Sequence, residues 1–188
     1  MKIQAGLLKG RSVSFEYGGE KPRPTTGLVR NALFNILGDR VTDAAVLDLF
    51  AGTGLVGFEA FSRGASEVTF VEHDYRLASG ILESIKKLEV KGKVLHGQAF
   101  GQLAKLNKSG KVFDLIFIDP PYGGNQANTT LTECFKDKLV TDEGVIVVER
   151  HEKDPPLSES ELAVLKAERF DTRDYSSTVL DFYRLIQK

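Results

Sequence analysis

The sequence predicts an α/β fold: a mostly parallel sheet with helices on both faces. Three observations predict it. From residue 45 onward, short apolar runs alternate with helix-periodic segments, as in consecutive βαβ units. The runs Ala45–Phe50 (AVLDLF), Phe113–Asp119 (FDLIFID) and Val145–Glu149 (VIVVE) are nearly continuous in apolar residues, as strands buried on both sides require. At the C-terminus two strand-like segments follow each other without a helix, so the last strand is expected to run antiparallel.

The elements follow in order. Lys2–Leu8 and Arg11–Glu16 read as two short strands joined around Lys9–Gly10, an N-terminal β-hairpin. Tyr17–Pro24 is a loop broken by Gly18, Gly19, Pro22 and Pro24. Val29, Ala32, Leu33, Ile36 and Leu37 repeat with helical spacing, with Thr25 or Thr26 available as a cap and Gly38 as a stop. Ala45–Phe50 is a strand, Leu55–Arg63 a helix ending at Gly64, and Val68–Glu72 a strand. Tyr75–Leu88 is a helix with Leu77, Ile81, Ile85 and Leu88 on one face. Val94–His96 is a short strand and Gly101–Asn107 a helical turn or two. Phe113–Asp119 is a strand, Thr130–Leu139 a helix and Val145–Glu149 a strand. Ser158–Ala167 is a helix in which Ser158 and Glu161 match a capping box. Arg169–Ile186 reads as two strands around Ser176–Ser177.

Composition narrows the class. The chain has 188 residues, 41 % hydrophobic and 27 % charged, ordinary for a soluble domain that buries a full core. Cys134 is the single cysteine, which excludes an intrachain disulfide and favours a reducing compartment. No apolar run approaches the roughly 20 residues of a membrane helix. The opening MKIQAGLLKG is too polar for a signal peptide, so a cytoplasmic location is expected. The net charge of −1 is uninformative, but within residues 1–30 Lys2, Lys9, Arg11, Lys21, Arg23 and Arg30 face only Glu16 and Glu20. Such an arm suits a polyanion or is simply a solvated hairpin. His73, His96 and His151 lack metal-ligand spacing to one another and to Cys134, so no metal is expected.

Two loops carry candidate chemistry. Asp48-Leu-Phe-Ala-Gly52-Thr-Gly54-Leu-Val-Gly57 joins a buried strand to a helix. Ligands of open α/β sheets bind beyond the carboxyl ends of the strands, and glycine lets the backbone turn sharply and approach them. Glu72 ends the next strand, 20 residues after Gly52, where a carboxylate can accept from both hydroxyls of a ribose. The pattern supports a bound adenosine and leaves the cofactor that carries it open. The bland alternative is a turn that serves helix–strand packing alone.

Asp119-Pro-Pro-Tyr122 closes the strand that begins at Phe113. Two prolines fix φ and remove donors, so the carbonyls around them must serve another partner. A carboxylate, a carbonyl at Pro120 and a flat ring suit a planar group bearing an NH2. An exocyclic amine is a poor nucleophile because its lone pair is delocalised. Two acceptors on its hydrogens would aim that lone pair at an electrophile, such as a sulfonium methyl held by the first loop. They would also stabilise positive charge developing on nitrogen.

Phe50-Ala-Gly52-Thr-Gly54 resembles motif I of class I S-adenosylmethionine-dependent methyltransferases, and Asp119-Pro-Pro-Tyr122 resembles motif IV of their amino-methylating members. Arg23-Pro-Thr-Thr26, Leu33-Phe-Asn35, Val46–Gly54, Glu59-Ala-x-Ser-Arg-Gly-Ala65 and Asp119–Tyr122 also follow the order of the RsmD family. Those proteins are 16S ribosomal RNA guanine-N2 methyltransferases. The resemblance spans nearly the whole chain.

The resemblance implies a Rossmann-like, seven-stranded class I methyltransferase fold, mostly parallel with an antiparallel last strand, plus the N-terminal β-hairpin. Residues 1–24 would be an RNA-facing extension and residues 25–188 the methyltransferase domain. Phe50, Gly52 and Gly54, with Asp48, Ala51 and Thr53, would hold S-adenosylmethionine; Glu72 would take the ribose. His73, Gln98 and Ala99 would lie about the adenine. Asp119, Pro120, Pro121 and Tyr122 would hold the guanine, splayed from its stack. Lys9, Arg11, Arg23 and Arg30 would face RNA. The implied partner is small-subunit ribosomal RNA or an assembling 30S particle, met by a monomer.

Some positions depart from the family's pattern. Gln98 stands where an acidic residue is usual, and its amide oxygen can still accept from an adenine amine. Gly27, Leu28 and Asn31 replace charge beside the implied active site. The remaining alternatives are a DNA adenine-N6 methyltransferase, which also uses D-P-P-Y but needs a sequence-reading region absent here, and a catalytically weakened RNA-binding or assembly factor. A nicotinamide oxidoreductase fits the glycine spacing and not the D-P-P-Y.

Overall fold

The computed structural model describes residues 1–14, 27–121 and 124–187. The chain divides into two compact units, Met1–Ala99 and Phe100–Lys188. Their strands belong to a seven-stranded sheet, mostly parallel with the last strand antiparallel, as the sequence predicts.

The first unit contains α1 (Gly27–Leu37), β1 (Ala45–Leu49), α2 (Leu55–Ser62), β2 (Glu67–Glu72), α3 (Tyr75–Leu88) and β3 (Gly92–His96). Its strands lie in the order β3-β2-β1 and pair in parallel. Val46, Leu47 and Leu49 are fully buried, as are Phe58 and Phe70, whose rings pack 4.9 Å apart. The predicted α3 has the bounds seen. Asp74 caps it by accepting from the amides of Arg76 and Leu77, which holds the Asp74 carboxyl below its usual range. One element went unpredicted. Gly38–Val41 forms a 3-10 turn, too short to leave a periodic pattern.

The first fourteen residues differ from the predicted pair of strands. Among the described residues of this segment, a single isolated bridge joins Lys2 to Ser12. The amides of Ile3, Gly10 and Val13 donate to the carbonyls of Arg11, Ile3 and Met1, so the turn is hairpin-like without a ladder. The reason lies in α2, which takes the backbone groups that a ladder would use. The amides of Gln4 and Ala5 donate to the Glu59 carboxylate at 2.8 and 3.0 Å. The amide of Leu7 donates to the Ser62 carbonyl, and that of Leu8 to the Ser62 hydroxyl. Gly6 makes this approach possible, because a Cβ there would sit 1.7 Å from the Ser62 carbonyl oxygen. Residues 15–16, the Tyr17–Pro24 loop and the Thr25 and Thr26 caps lie outside the described residues.

The second unit contains β4 (Phe113–Ile118), α5 (Gln126–Lys136), β5 (Val140–His151), α6 (Glu159–Leu165), β6 (Ala167–Tyr175) and β7 (Thr178–Leu185). The helix α4 (Ala99–Lys108) begins at the division between the units. The strands here run in the order β4-β5-β7-β6. β4 and β5 are parallel, and β7 runs against both β5 and β6. β5 has 12 residues, and the predicted Val145–Glu149 is its apolar middle. Its first half carries Asp142 and Glu143, which broke the apolar signal. α5 begins before its predicted Thr130 because its first turn, Gln126–Thr129, is polar. The Ser158–Glu161 capping box is present.

Asp181 on β7 is fully buried. Its carboxylate accepts from Arg150 Nε at 2.6 Å and from the Thr172 hydroxyl at 2.7 Å, with Arg169 Nη1 at 3.7 Å. The Tyr183 hydroxyl also donates to it. Burial first, and then the Asp181 charge, push the Tyr183 phenol above its usual range. Removing one partner from such a cluster leaves charge without compensation. Asp181→Ala is expected to cost about 3–5 kcal/mol, read as a lower urea midpoint at unchanged slope.

Candidate functional site

β1 delivers the chain into the turn 50–54. Phe50 has φ 60°, a region sparsely used by residues with a Cβ. The Ala51 amide donates to the Val71 carbonyl and the Gly54 amide to the Ala51 carbonyl, so the turn is fixed against the end of β2. The three glycines do different work. Among the described residues, a Cβ on Gly52 (φ 56°) would meet nothing nearer than the Phe50 carbonyl oxygen, 4.0 Å away. One side of that residue is therefore open. A Cβ on Gly54 would lie 2.9 Å from the Phe58 ring, and one on Gly57 would lie 2.4 Å from the Phe70 ring. Those two glycines serve close packing, while Gly52 leaves room for a ligand.

Glu72, at the end of β2, is buried. Its Oε2 accepts from the Gly52 amide at 2.7 Å, and its Oε1 accepts from the Asp74 amide at 2.8 Å with His73 Nδ1 at 3.1 Å. A carboxylate has about four acceptor positions, and the two amides and the His73 ring nitrogen can take up three of them. The Gly97 amide donates to the Glu72 carbonyl, and His96 Nε2 lies 3.1 Å from the His73 carbonyl oxygen. These bonds tie together the ends of β2 and β3. The Tyr75 ring stands edge-on to His96.

Asp48 sits beneath the turn. Its Oδ2 accepts from the Gly57 amide at 2.9 Å. Burial pushes its carboxyl up to about 8, the Gly57 hydrogen bond opposes this, and the Glu72 charge adds to it. Asp48 is therefore neutral near pH 7 and steadies the start of α2. Thr53 is buried, and its hydroxyl donates to the Met1 sulfur.

The structure thus gathers Asp48, Phe50, Ala51, Gly52, Thr53, Gly54, Glu72 and His73 at the carboxyl ends of β1 and β2. Gln98, exposed, and Ala99, buried, follow the end of β3. In the second unit Asp119 follows β4, half-buried, with Pro120 buried and Pro121 exposed. Tyr122 lies outside the described residues.

The predicted cations divide. Lys9 and Arg11 are exposed at the N-terminal turn, and Arg23 lies outside the described residues. Arg30 is a correction. It is only 4 % exposed, its Nε lies 3.5 Å from Glu59 and its Nη2 donates to the Lys2 carbonyl. Its burial lowers its pKa, against the pull of Glu59. Arg30 is an internal clamp and not a surface cation, because the buried Glu59 requires donors.

Glu59 itself escaped the sequence reading as a hub. It accepts from Arg63 Nε at 2.9 Å as well as from the N-terminal segment. The available signal was a single acid in the apolar helix LVGFEAFS. One of the departing positions has a local reason: Asn31 Oδ1 accepts from Arg63 Nη2. Leu28 is exposed. Among the described residues no helix is long and apolar enough to cross a membrane, and no three His, Cys, Asp or Glu side chains gather as metal ligands.

Comparison with known proteins supplies the context. The family model described as Conserved hypothetical protein 95 matches residues 1–184. Ribosomal RNA small subunit methyltransferase D of Haemophilus influenzae is 32 % identical over 189 residues, covering 100 % of this chain and 93 % of its own. The protein of that name in Escherichia coli K12 is 34 % identical over 152 residues, 79 % of this chain and 74 % of its own. The solved structure of yhhF from Escherichia coli superposes with a TM-score of 0.85 at 27 % identity, covering 100 % of this chain and 99 % of that one.

Two outcomes follow from this geometry. Gly57→Ala is expected to lower the melting temperature by several degrees, as overpacking against Phe70 costs about 1–3 kcal/mol. The second concerns pH. Folded Asp48 keeps its proton to about 8, whereas an unfolded aspartate loses it near its model value of 3.8. The folded state therefore binds the extra proton, and this contribution to stability falls as pH rises between those values. Melting curves of Asp48→Asn from pH 5 to pH 8 are expected to fall less steeply than those of the unaltered protein. Parallel curves would remove Asp48 as the source.

Proposed function

Because the chain belongs to the Conserved hypothetical protein 95 family, the RsmD family, we propose that it is an S-adenosylmethionine-dependent ribosomal RNA methyltransferase acting on the exocyclic N2 amine of a guanine in small-subunit RNA. The observation that carries this reading is the pairing of an open Gly52 turn with the Glu72 carboxylate at the end of the adjacent strand. The Asp119-Pro-Pro-Tyr122 sequence after β4 supports the choice of an amine as acceptor.

The residues present fit the cofactor. Glu72 has acceptor capacity left for a ribose hydroxyl, since two backbone amides and the His73 ring nitrogen take up at most three of its about four positions. Asp48 fixes the helix start below the turn, and Phe50 to Gly54 would flank the methionine end. His73, Gln98 and Ala99 would flank the adenine, where the Gln98 amide oxygen could accept from its amine. When bound, S-adenosylmethionine supplies a methyl group activated by the sulfonium charge.

Asp119 and the Pro120 carbonyl accept the two hydrogens of the guanine amine, and Pro121 keeps the turn rigid. Tyr122 stacks on the base. This arrangement would aim the nitrogen lone pair and stabilise positive charge developing on that nitrogen. The exposed Lys9 and Arg11, with Arg23, contact RNA phosphates, so residues 1–24 act as the RNA-facing extension of the 25–188 catalytic domain. The substrate is free small-subunit RNA or an assembling 30S particle, and the enzyme works as a cytoplasmic monomer.

Labelled methyl transfer to small-subunit RNA, free and as ribonucleoprotein, tests the reading. Incorporation as N2-methylguanine is expected, reduced about 100- to 1000-fold by Asp119→Ala. Transfer to adenine in duplex DNA would replace this substrate with another. Absence of transfer to either nucleic acid, with cofactor still bound, would leave an assembly role without catalysis. Glu72→Ala is expected to weaken cofactor binding in calorimetry at least tenfold, about 1.4 kcal/mol. Unchanged binding would remove Glu72 from the ribose.

A further inference from the structure

The second unit holds a buried charge cluster that the proposed reaction does not use. Arg150, the penultimate residue of β5, is nearly buried. Its Nε donates to Asp181 Oδ2, and its Nη1 donates to the carbonyls of His151 (3.4 Å) and Asp154 (2.9 Å). One guanidinium thus anchors the loop that follows β5 to the buried carboxylate on β7. The loop is stiffened further. The Glu152 amide donates to the Ser177 carbonyl, the Lys153 amide to the His151 ring and the Asp154 amide to the His151 carbonyl.

This loop neighbours the target-amine motif. β4 and β5 are adjacent and parallel, with Ile118 opposite Val148. Residues 119–121 leave β4 at the end of the sheet where β5 runs on past Val148 to His151 and leads into the 152–158 segment, the end where ligands bind. A direct bond joins the two sides: the Asn128 side-chain amide, in the first turn of α5, donates to the Pro155 carbonyl at 2.9 Å. Proline at 155 and at 156 restricts the loop's own freedom.

We infer that Arg150, held by Asp181, is a positioning residue for the Asp119-Pro120-Pro121 turn. Arg150 fixes the 151–156 loop, and Pro155 through Asn128 fixes the start of α5, which receives the chain from that turn. A lysine at 150 keeps the charge but cannot serve Asp181 and two carbonyls with the same planar fork. The inference rests on the methyl-transfer reading for its catalytic consequence, but the mechanical link has its own readout.

The test uses the full chain with Arg150→Lys and Asn128→Ala. Amide hydrogen exchange over residues 124–130, cofactor affinity, and kcat and KM for small-subunit RNA are measured. Both variants are expected to exchange several-fold faster in that segment. Their kcat is expected to fall roughly tenfold, with cofactor Kd and RNA KM within about twofold of the unaltered protein. Lower melting temperatures with unchanged exchange and unchanged kcat would overturn the inference and leave the cluster as sheet support. If Arg150→Lys does not fold, Asn128→Ala decides alone, because its side chain lies on the helix surface. If the unaltered protein transfers no methyl group, the functional reading fails, while the exchange data still accept or reject the mechanical link.

Discussion

A carboxylate removed from water must be met by donors, and each unit of this chain is arranged around one that is wholly buried. In the first unit it is Glu59. Two backbone amides, Arg63 and the nearby Arg30 converge on it from the N-terminal segment, α2 and α1. In the second unit it is Asp181 on β7, met by Arg150 from β5 and by Thr172 and Arg169 from β6. Elements distant in sequence are drawn together because each supplies a hydrogen bond that water can no longer make. The same constraint explains why the N-terminal segment forgoes a ladder. Its amides are committed to Glu59 and Ser62.

Environment gives three acids of the first unit three roles. Asp48 is sealed beneath the glycine turn with one amide donor, and burial keeps it protonated. Glu59 is equally buried but richly supplied with donors and works as a clamp. Glu72 shares its oxygens between two amides at the lip of the turn and retains acceptor capacity. The side-chain chemistry is nearly the same, so the number and charge of the donors decide what each does. The strained Phe50 and the Gly52 side that no described residue fills belong to this lip.

The regular part of the fold was legible because its signal is local. Buried strands such as β1 and β4 need runs of apolar residues, and α3 needs a periodic stripe with a cap, all visible in a short window. Where polar residues mask the signal the reading shortened, as in β5, whose front half carries Asp142 and Glu143. The 3-10 turn after α1 was missed because four residues hold no period. The glycine turn, Glu72 and the Asp-Pro-Pro sequence were legible because each has a fixed place at the end of a strand.

By itself the sequence determined the α/β class, the antiparallel last strand and the capping box at Ser158, and it singled out two short loops as candidates for the chemistry. Those follow from propensity and spacing along the chain. Tertiary structure decided what charged residues do. Arg30 read as a surface cation and is a clamp on Glu59. Arg150 and Asp181 carried no signal, yet they form the pair that anchors the loop after β5. It also decided that Gly52 faces open space while Gly54 and Gly57 face aromatic rings. A charge's role depends on whether the fold leaves it in water or among donors, and a glycine's role depends on which atoms would meet its missing Cβ. Neither is a property of local sequence, because the groups that decide it lie tens of residues away.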